Sequence, residues 1–187
     1  LLEEDRHRRE RRLLMPKFTR RRVQTYGRQI CESAADVVDG WKLEDPFSIR
    51  ESTQGIALRL INRIVFGLEQ RSAHRELSDC FGRLLGHQHF SLAMLGQLDA
   101  DNAESESWRE FRSLLDRMDE LVRAEIRRRR TAESGRGEDL MSLLVEARRE
   151  DGSELTEDEL RDELVTLLAT GHETTAATVA WALFLLS

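Results

Sequence analysis

The residues with the most evident chemical potential lie between positions 170 and 175, in the order Thr170-Gly171-His172-Glu173-Thr174-Thr175. Glycine and threonine weaken a helix, and this run gives up on the order of 2 to 3 kcal/mol of helix propensity. Gly171 removes a side chain, so a flat or bulky ligand could lie against the backbone. Glu173 and Thr174 form an acid and alcohol pair suited to relaying protons into an apolar pocket. A core helix with a glycine contact point and threonines bonded to their own backbone explains the same run, so the pattern alone leaves two interpretations open.

A long helix must position this run. Thr156 can cap a free backbone N–H while Glu159, three residues further on, reaches back to complete a capping box. Apolar residues then follow at spacings of three to four, and no proline interrupts them. The pattern predicts a single helix of about thirty residues, about 45 Å long, between Leu155 and Ser187.

The remaining sequence predicts an all-α protein with one domain over 1–187. Only two prolines occur among the 187 residues, and few segments alternate as strands do. Amphipathic patterns predict helices over 19–41, 49–68, 70–85, 107–130 and 139–148, with a turn at Asp151-Gly152 before the long helix. The composition, 40% hydrophobic and 34% charged, is that of a soluble globular chain.

Charge and hydropathy argue against some partners. A net charge of −6 disfavours nucleic acid. No window reaches the roughly eighteen apolar residues of a membrane span, so we expect a soluble, cytoplasmic protein. Cys31 and Cys80 stand far apart in helical segments, and we expect buried, reduced thiols. His87 and His89 are two apart and point to different helix faces, so no metal site is predicted there.

A second candidate site lies near the start of the sequence. His7 and Arg11 are four residues apart and share one face of a short basic helix that Pro16 stops. An imidazole and a guanidinium on one face could clamp a carboxylate or a phosphate. A solvated basic face explains the same residues, and the pattern by itself favours that simpler interpretation.

Two motifs resemble those of one known family. Gly171-His172-Glu173-Thr174-Thr175 resembles the oxygen-activation motif of cytochromes P450, small-Gly-x-Asp/Glu-Thr-Thr/Ser, which lies in the long helix that crosses above the haem. His7-x-x-x-Arg11, followed by Pro16-x-Phe18, is similar to the P450 helix whose His or Trp and Arg hold a haem propionate. His172 falls on the variable position of the motif. Thr170 departs from the family's usual alanine or glycine, which affects the shape of the oxygen groove.

The resemblance implies roles for particular residues. It implies a haem b cofactor with its iron, and the cofactor-binding candidates are His7, Arg11, Thr170, Gly171 and Thr175. Glu173 and Thr174 would be the acid and the alcohol that deliver protons during oxygen activation. The region 86–102 would cap the substrate pocket, and its pocket-lining candidates are Phe90, Leu92, Met94 and Leu95.

The activity that the resemblance implies is monooxygenation. One oxygen atom of O2 would enter an organic substrate, with electrons from NAD(P)H delivered by a ferredoxin- or reductase-type partner. The implied fold is the helical part of the P450 fold, incomplete at both ends, because the family's Glu-x-x-Arg helix and Cys-ligand haem loop have no match. Neither Cys31 nor Cys80 has the context of an axial ligand, so we expect no metal ligand in this chain and an inactive fragment. The alternative is a non-catalytic helical ligand-sensing or interaction domain.

Overall fold

The computed structural model describes residues 11–12, 15, 19–42, 46–67, 72–87, 105–131, 139–149 and 151–186. The regular structure of these residues is helical, as the sequence predicts. The helices from residue 20 onwards within the described ranges are α1 Arg20–Val38, α2 Ile49–Phe66, α3 Ser72–Gly86, α4 Glu106–Thr131, α5 Leu140–Val145 and α6 Glu157–Leu186. The helices predicted over 19–41, 49–68, 70–85, 107–130, 139–148 and 155–187 are present, and their ends differ from the prediction by at most three residues. The short basic helix predicted before Pro16 lies mostly outside the described residues.

The two local signals predicted to precede the long helix are both present. The Thr156 N–H donates to Oε2 of Glu159 at 2.8 Å, and the Glu159 N–H donates to Oγ1 of Thr156 at 3.2 Å. These reciprocal bonds are the capping box. The Asp151-Gly152 turn is also present, with Gly152 at φ +82°. This turn connects Arg148 to Glu154, and these two residues form an isolated antiparallel bridge.

The chain divides into two compact units, of which the first comprises Leu1–Gly67 and Ala132–Ser187. The core of this unit is the contact between α2 and α6. One side of α6 is buried through the stripe Leu160, Leu164, Leu168, His172 and Ala176. Helix α2 buries Thr53, Ala57, Asn62, Val65 and Phe66, and α5 adds Leu140, Met141 and Leu144. The apolar spacing predicted for α6 therefore holds at Leu160, Leu164 and Leu168, which lie on the face that packs.

Gly67 fixes the end of α2 and its approach to α5. It has φ +64°, a left-handed conformation that glycine adopts without strain. A Cβ at this position would lie only 2.7 Å from Oδ2 of Asp139. Asp139 in turn caps α5, because its Oδ1 accepts from the Ser142 N–H at 2.9 Å. The end of α2 at Phe66 thus has both a conformational and a steric cause.

Helix α1 does not bury the apolar face that its pattern predicts. Val23, Ile30 and Val38 are 53%, 45% and 46% exposed. Helix α1 is joined to α2 by ion pairs instead, from Arg59 to Asp36 and from Arg63 to Glu32, each at 3.0 Å. Amphipathicity indicates that one face of a helix is apolar, but it does not indicate what covers that face.

The second unit, Leu68–Thr131, contains α3 and α4. Its core is formed by Leu77, Cys80, Phe81 and Leu84 from α3 and Phe111, Leu114 and Met118 from α4. Burial raises the pKa of the Cys80 thiol. Cys31 of α1 is exposed, so the expectation of two buried thiols is confirmed for Cys80 and wrong for Cys31.

Candidate functional site

The run from Thr170 to Thr175 lies inside α6, and the helix continues through it without a break. Each threonine hydroxyl donates to the carbonyl one turn earlier. The bonds run from Thr170 to Thr166, Thr174 to Thr170 and Thr178 to Thr174 at 2.7 Å, and from Thr175 to Gly171 at 2.9 Å. Such bonds satisfy the hydroxyl groups within the helix.

The run presents two different faces. His172 and Ala176 continue the buried stripe that packs on α2. Thr170, Thr174 and Thr178 are exposed, and their spacing of four residues places them along one line on the other side of the helix. Between Thr170 and Trp181 the sequence contains one charged side chain, Glu173. The exposed side of α6 therefore offers hydroxyl groups on an otherwise uncharged surface.

Gly171 lies against α2. A Cβ at Gly171 would be 2.7 Å from Cδ1 of Ile61, which fills the space that a side chain would occupy. The contact supports the interpretation of this glycine as a close helix contact. Its other predicted role, to let a flat or bulky ligand lie against the backbone, stays a prediction.

Glu173 is held from α2 by two side chains one helical turn apart. Arg50 Nη2 donates to Oε1 of Glu173 at 3.3 Å, and Gln54 Nε2 donates to Oε2 at 3.2 Å. The side chains of Arg50 and Glu173 are 72% and 48% exposed. The carboxylate is therefore fixed in direction while it remains accessible to water.

The acid and the alcohol are neighbours in sequence, but their polar atoms have different partners. The Glu173 carboxylate points to Arg50 and Gln54 on α2, whereas the Thr174 hydroxyl donates to the Thr170 carbonyl. Successive residues on a helix are about 100° apart around its axis. A proton that passes between the two groups must therefore cross this gap, through a rotation of Glu173 or through bridging water.

His172 lies on the buried side of Glu173. Only 3% of it is exposed, and its Nδ1 is 3.7 Å from Oε2 of Glu173. Burial lowers the pKa of His172 below its usual value, against the opposing effects of the Glu173 charge and the Gln54 backbone. The imidazole is accordingly neutral at neutral pH.

Sequence reasoning did not find the partners of Glu173. Arg50 and Gln54 lie 123 and 119 residues away from it along the chain. Their spacing of four residues on the first turns of α2 shows that they share a face, but it contains no information about Glu173. His172 was noted only as the variable position of the motif, although its place in the stripe Leu164, Leu168, His172 already indicates burial.

Other predicted site residues are described only in part. Arg11 lies in a short helical segment and is exposed. His7 and the pocket-lining candidates Phe90, Leu92, Met94 and Leu95 lie outside the described residues. Within the described ranges, no three His, Cys, Asp or Glu side chains come together as metal ligands, and no described helix has the length and apolar character of a membrane span.

The residues present fit one side of a haem. A flat, largely apolar macrocycle needs an uncharged surface, which the exposed side of α6 provides from Thr170 to Trp181. The one carboxylate of this stretch, Glu173, is turned to Arg50 and Gln54. Trp181 is 64% exposed at the far end of the same helix, where it adds apolar area.

The comparisons with known proteins identify the family of this chain. The family model described as Cytochrome P450 matches residues 1–187, and the chain belongs to this family. Cytochrome P450 135B1 of Mycobacterium tuberculosis is 35% identical over 184 residues, which are 98% of this chain and 39% of that protein. Cytochrome P450 137 of the same species is 34% identical over 192 residues, with the same two coverages.

Solved structures show the same fold. The cytochrome P450DA heme domain is 27% identical, with a TM-score of 0.73 over 94% of this chain and 38% of that one. A mutant of that heme domain gives a TM-score of 0.79 over 100% of this chain and 41% of that one, at 26% identity. This chain thus spans about two fifths of the proteins it matches.

Proposed function

We propose that the whole protein is a haem-dependent monooxygenase that inserts one oxygen atom of O2 into an organic substrate. The observation that carries this proposal is the motif in α6, whose Glu173 is fixed at the edge of an exposed, hydroxyl-bearing face. Family membership supports the same conclusion and gives no support to a non-catalytic sensing domain. The 187 residues are a partial P450 domain in this proposal, and the axial cysteine and the remaining haem contacts lie elsewhere in the protein.

Haem supplies the binding and reductive activation of O2 when it is bound. His7 and Arg11 would hold a propionate, and the face with Thr170, Gly171 and Thr175 would lie beside the macrocycle. Glu173 would take protons from solvent, which its half-exposed carboxylate can reach. Thr174 would pass them on through its hydroxyl, which is a donor and an acceptor at once.

Thr170 would shape the pocket differently from the small residue usual in the family. Its hydroxyl is one turn before Thr174 and is already bonded to the Thr166 carbonyl at 2.7 Å. It therefore presents mainly its methyl group, which narrows the space above Thr174. We propose that Phe90, Leu92, Met94 and Leu95 line the substrate side of this space.

The remaining partners also belong to the proposal. Electrons would come from NAD(P)H through a ferredoxin- or reductase-type protein. A cytoplasmic location, expected from the sequence, stays a prediction.

The test uses the complete, haem-loaded protein encoded by the gene. Absorption of its reduced carbon monoxide adduct reports whether a thiolate is the axial ligand. Product formed per O2 consumed then reports proton delivery. We expect Thr174→Ala to lower this yield about 10-fold or more and Glu173→Gln to slow turnover about 100-fold.

The matched control is Thr178→Ala. Thr178 is exposed on the same line of α6 and makes the same backbone bond as Thr174, at 2.7 Å. An equal effect at both positions would mean that the hydroxyl groups act only on the helix. A folded, haem-free protein would overturn the proposal as a whole.

A further inference from the structure

Nδ1 of His172 is a buried polar atom without a hydrogen bond among the described residues. Buried polar side-chain atoms are nearly always hydrogen-bonded, so such an atom asks for an explanation. The residue is 3% exposed, which excludes bulk water as a routine partner. Oε2 of the Glu173 carboxylate lies 3.7 Å from this nitrogen.

The two atoms are close enough to become partners after a small side-chain rotation. A neutral imidazole nitrogen without a proton is an acceptor, and so is an ionised carboxylate oxygen. Two acceptors that face each other gain a bond as soon as one proton lies between them. The present separation is therefore what the pair should show when that proton is absent.

We propose that Nδ1 of His172 and Oε2 of Glu173 share one proton, which makes His172 a positioning residue that retains the proton Glu173 passes on. The proton enters and leaves through the Glu173 carboxyl, which is half exposed, while the imidazole holds it from the buried side. The pair carries one negative charge without the proton and none with it. This inference rests on the proposed role of Glu173 in proton delivery.

Arg50 and Gln54 complete the arrangement by holding the other form of the carboxyl. Both donate to its oxygens, at 3.3 and 3.2 Å, and donors of this kind favour the ionised group. Once the proton has left, the carboxylate returns to these two side chains on α2. Each form of Glu173 thus has its own partners. The protonated carboxyl shares its proton with His172, and the ionised carboxylate accepts hydrogen bonds from Arg50 and Gln54.

The electrostatic surroundings of His172 are consistent with a shared proton. Burial is the largest effect and lowers the pKa of His172, while the negative charge of Glu173 and the Gln54 backbone of α2 raise it. Glu173 is the charged group that acts on the ring from α6. From α2, Arg50 approaches the same carboxylate rather than the ring.

The test follows the protonation of His172 directly. The complete protein is labelled with 15N-histidine and studied as its diamagnetic reduced carbon monoxide adduct. The His172 signal is assigned as the one that disappears in His172→Asn. We expect Glu173→Gln to lower the pH midpoint of the Nδ1 signal by about one pH unit. Thr174→Ala, which changes the neighbouring residue without removing a charge, should leave the midpoint unchanged.

A midpoint that does not move in Glu173→Gln overturns the inference, whatever the enzyme's yield. Glu173→Gln and Thr174→Ala variants with full yield per O2 overturn the proposed function instead, so the two failures are distinguishable. His172→Phe should slow turnover about 10-fold without a change in substrate KM. Glu173→Gln leaves the imidazole of His172 in place. Its pH midpoint therefore tests the shared proton even if His172→Phe fails to fold.

Discussion

Glu125 near the end of α4 and Glu173 in the middle of α6 are both held by arginine, but in opposite ways. Glu125 is 7% exposed and is bound by Arg128 and Arg129 of its own helix, at 2.6 to 2.7 Å. Glu173 is half exposed and is bound from another helix at 3.2 and 3.3 Å. The short bonds of Glu125 suit a permanent structural charge, whereas the longer ones of Glu173 leave its carboxyl able to change partners.

The titration of Glu125 fits a structural role. Burial acts to raise its pKa, but the hydrogen bonds from Arg128 and Arg129 outweigh burial and hold the pKa at about 2. A group with so low a pKa stays ionised throughout the physiological range. It cannot serve as a proton donor there.

The largest effect on stability is expected from replacing Glu125. Glu125→Ala removes the carboxylate that binds Arg129, whose side chain is only 10% exposed. We expect the free energy of unfolding to fall by about 3 kcal/mol, measured by urea denaturation of the complete protein. The control is Glu120→Ala, whose side chain is 67% exposed and which should change stability by less than about 0.5 kcal/mol. Equal losses of stability in Glu125→Ala and Glu120→Ala would contradict the structural role of Glu125.

The same carboxylate predicts how stability depends on pH. Because the folded state lowers the pKa of Glu125 from 4.5 to about 2, its contribution is fully present above pH 4.5 and disappears as the pH falls towards 2. We expect this group to account for a loss of about 2 to 3 kcal/mol over that interval. Acid titrations of unfolding should show a correspondingly shallower decline in Glu125→Gln, and parallel curves would contradict the assignment.

The contact that brings α6 close enough for Glu173 to meet α2 should also be measurable. Gly171→Val places methyl groups where Ile61 now lies, since even a Cβ would be 2.7 Å from its Cδ1. We expect a loss of about 2 kcal/mol in the free energy of unfolding. Ile61→Ala in the same protein should recover part of this loss. A double variant that is less stable than the sum of the two changes would show that the contact is misplaced.

The smallest stability effect is expected at Glu173 itself. A double-mutant cycle of Arg50→Ala and Glu173→Ala should give a coupling energy of only about 0.2 to 1 kcal/mol, because both side chains are exposed. The coupling should decrease further at high salt. A coupling of several kcal/mol would instead make Glu173 a structural carboxylate like Glu125.

Local features of the fold could be predicted from the sequence, because their causes are local. The capping box of Thr156 and Glu159 and the turn at Gly152 each depend on a few adjacent residues. The arrangement around Glu173 could not be predicted, because Arg50 and Gln54 reach it only when α2 and α6 pack. The motif predicts which residues carry chemistry, and the packing shows which way their side chains point.

The exposed apolar face of α1 shows a second limit of prediction from the sequence. Its apolar spacing correctly predicted a helix, but Val23 and Ile30 are exposed, since periodicity does not specify a partner. The second half of α6 is also apolar and exposed, since Phe184 and Leu185 are 65% and 77% exposed.

The most direct test of the account compares Thr174→Ala with Thr178→Ala in the complete, haem-loaded protein, measured as product formed per O2 consumed. The two hydroxyls make the same backbone bond one turn apart, so a purely structural role would affect both alike. The account predicts that Thr174→Ala lowers the yield about 10-fold or more while Thr178→Ala leaves it close to that of the unmodified protein. Equal yields in the two variants would contradict the assignment of Thr174 to proton delivery.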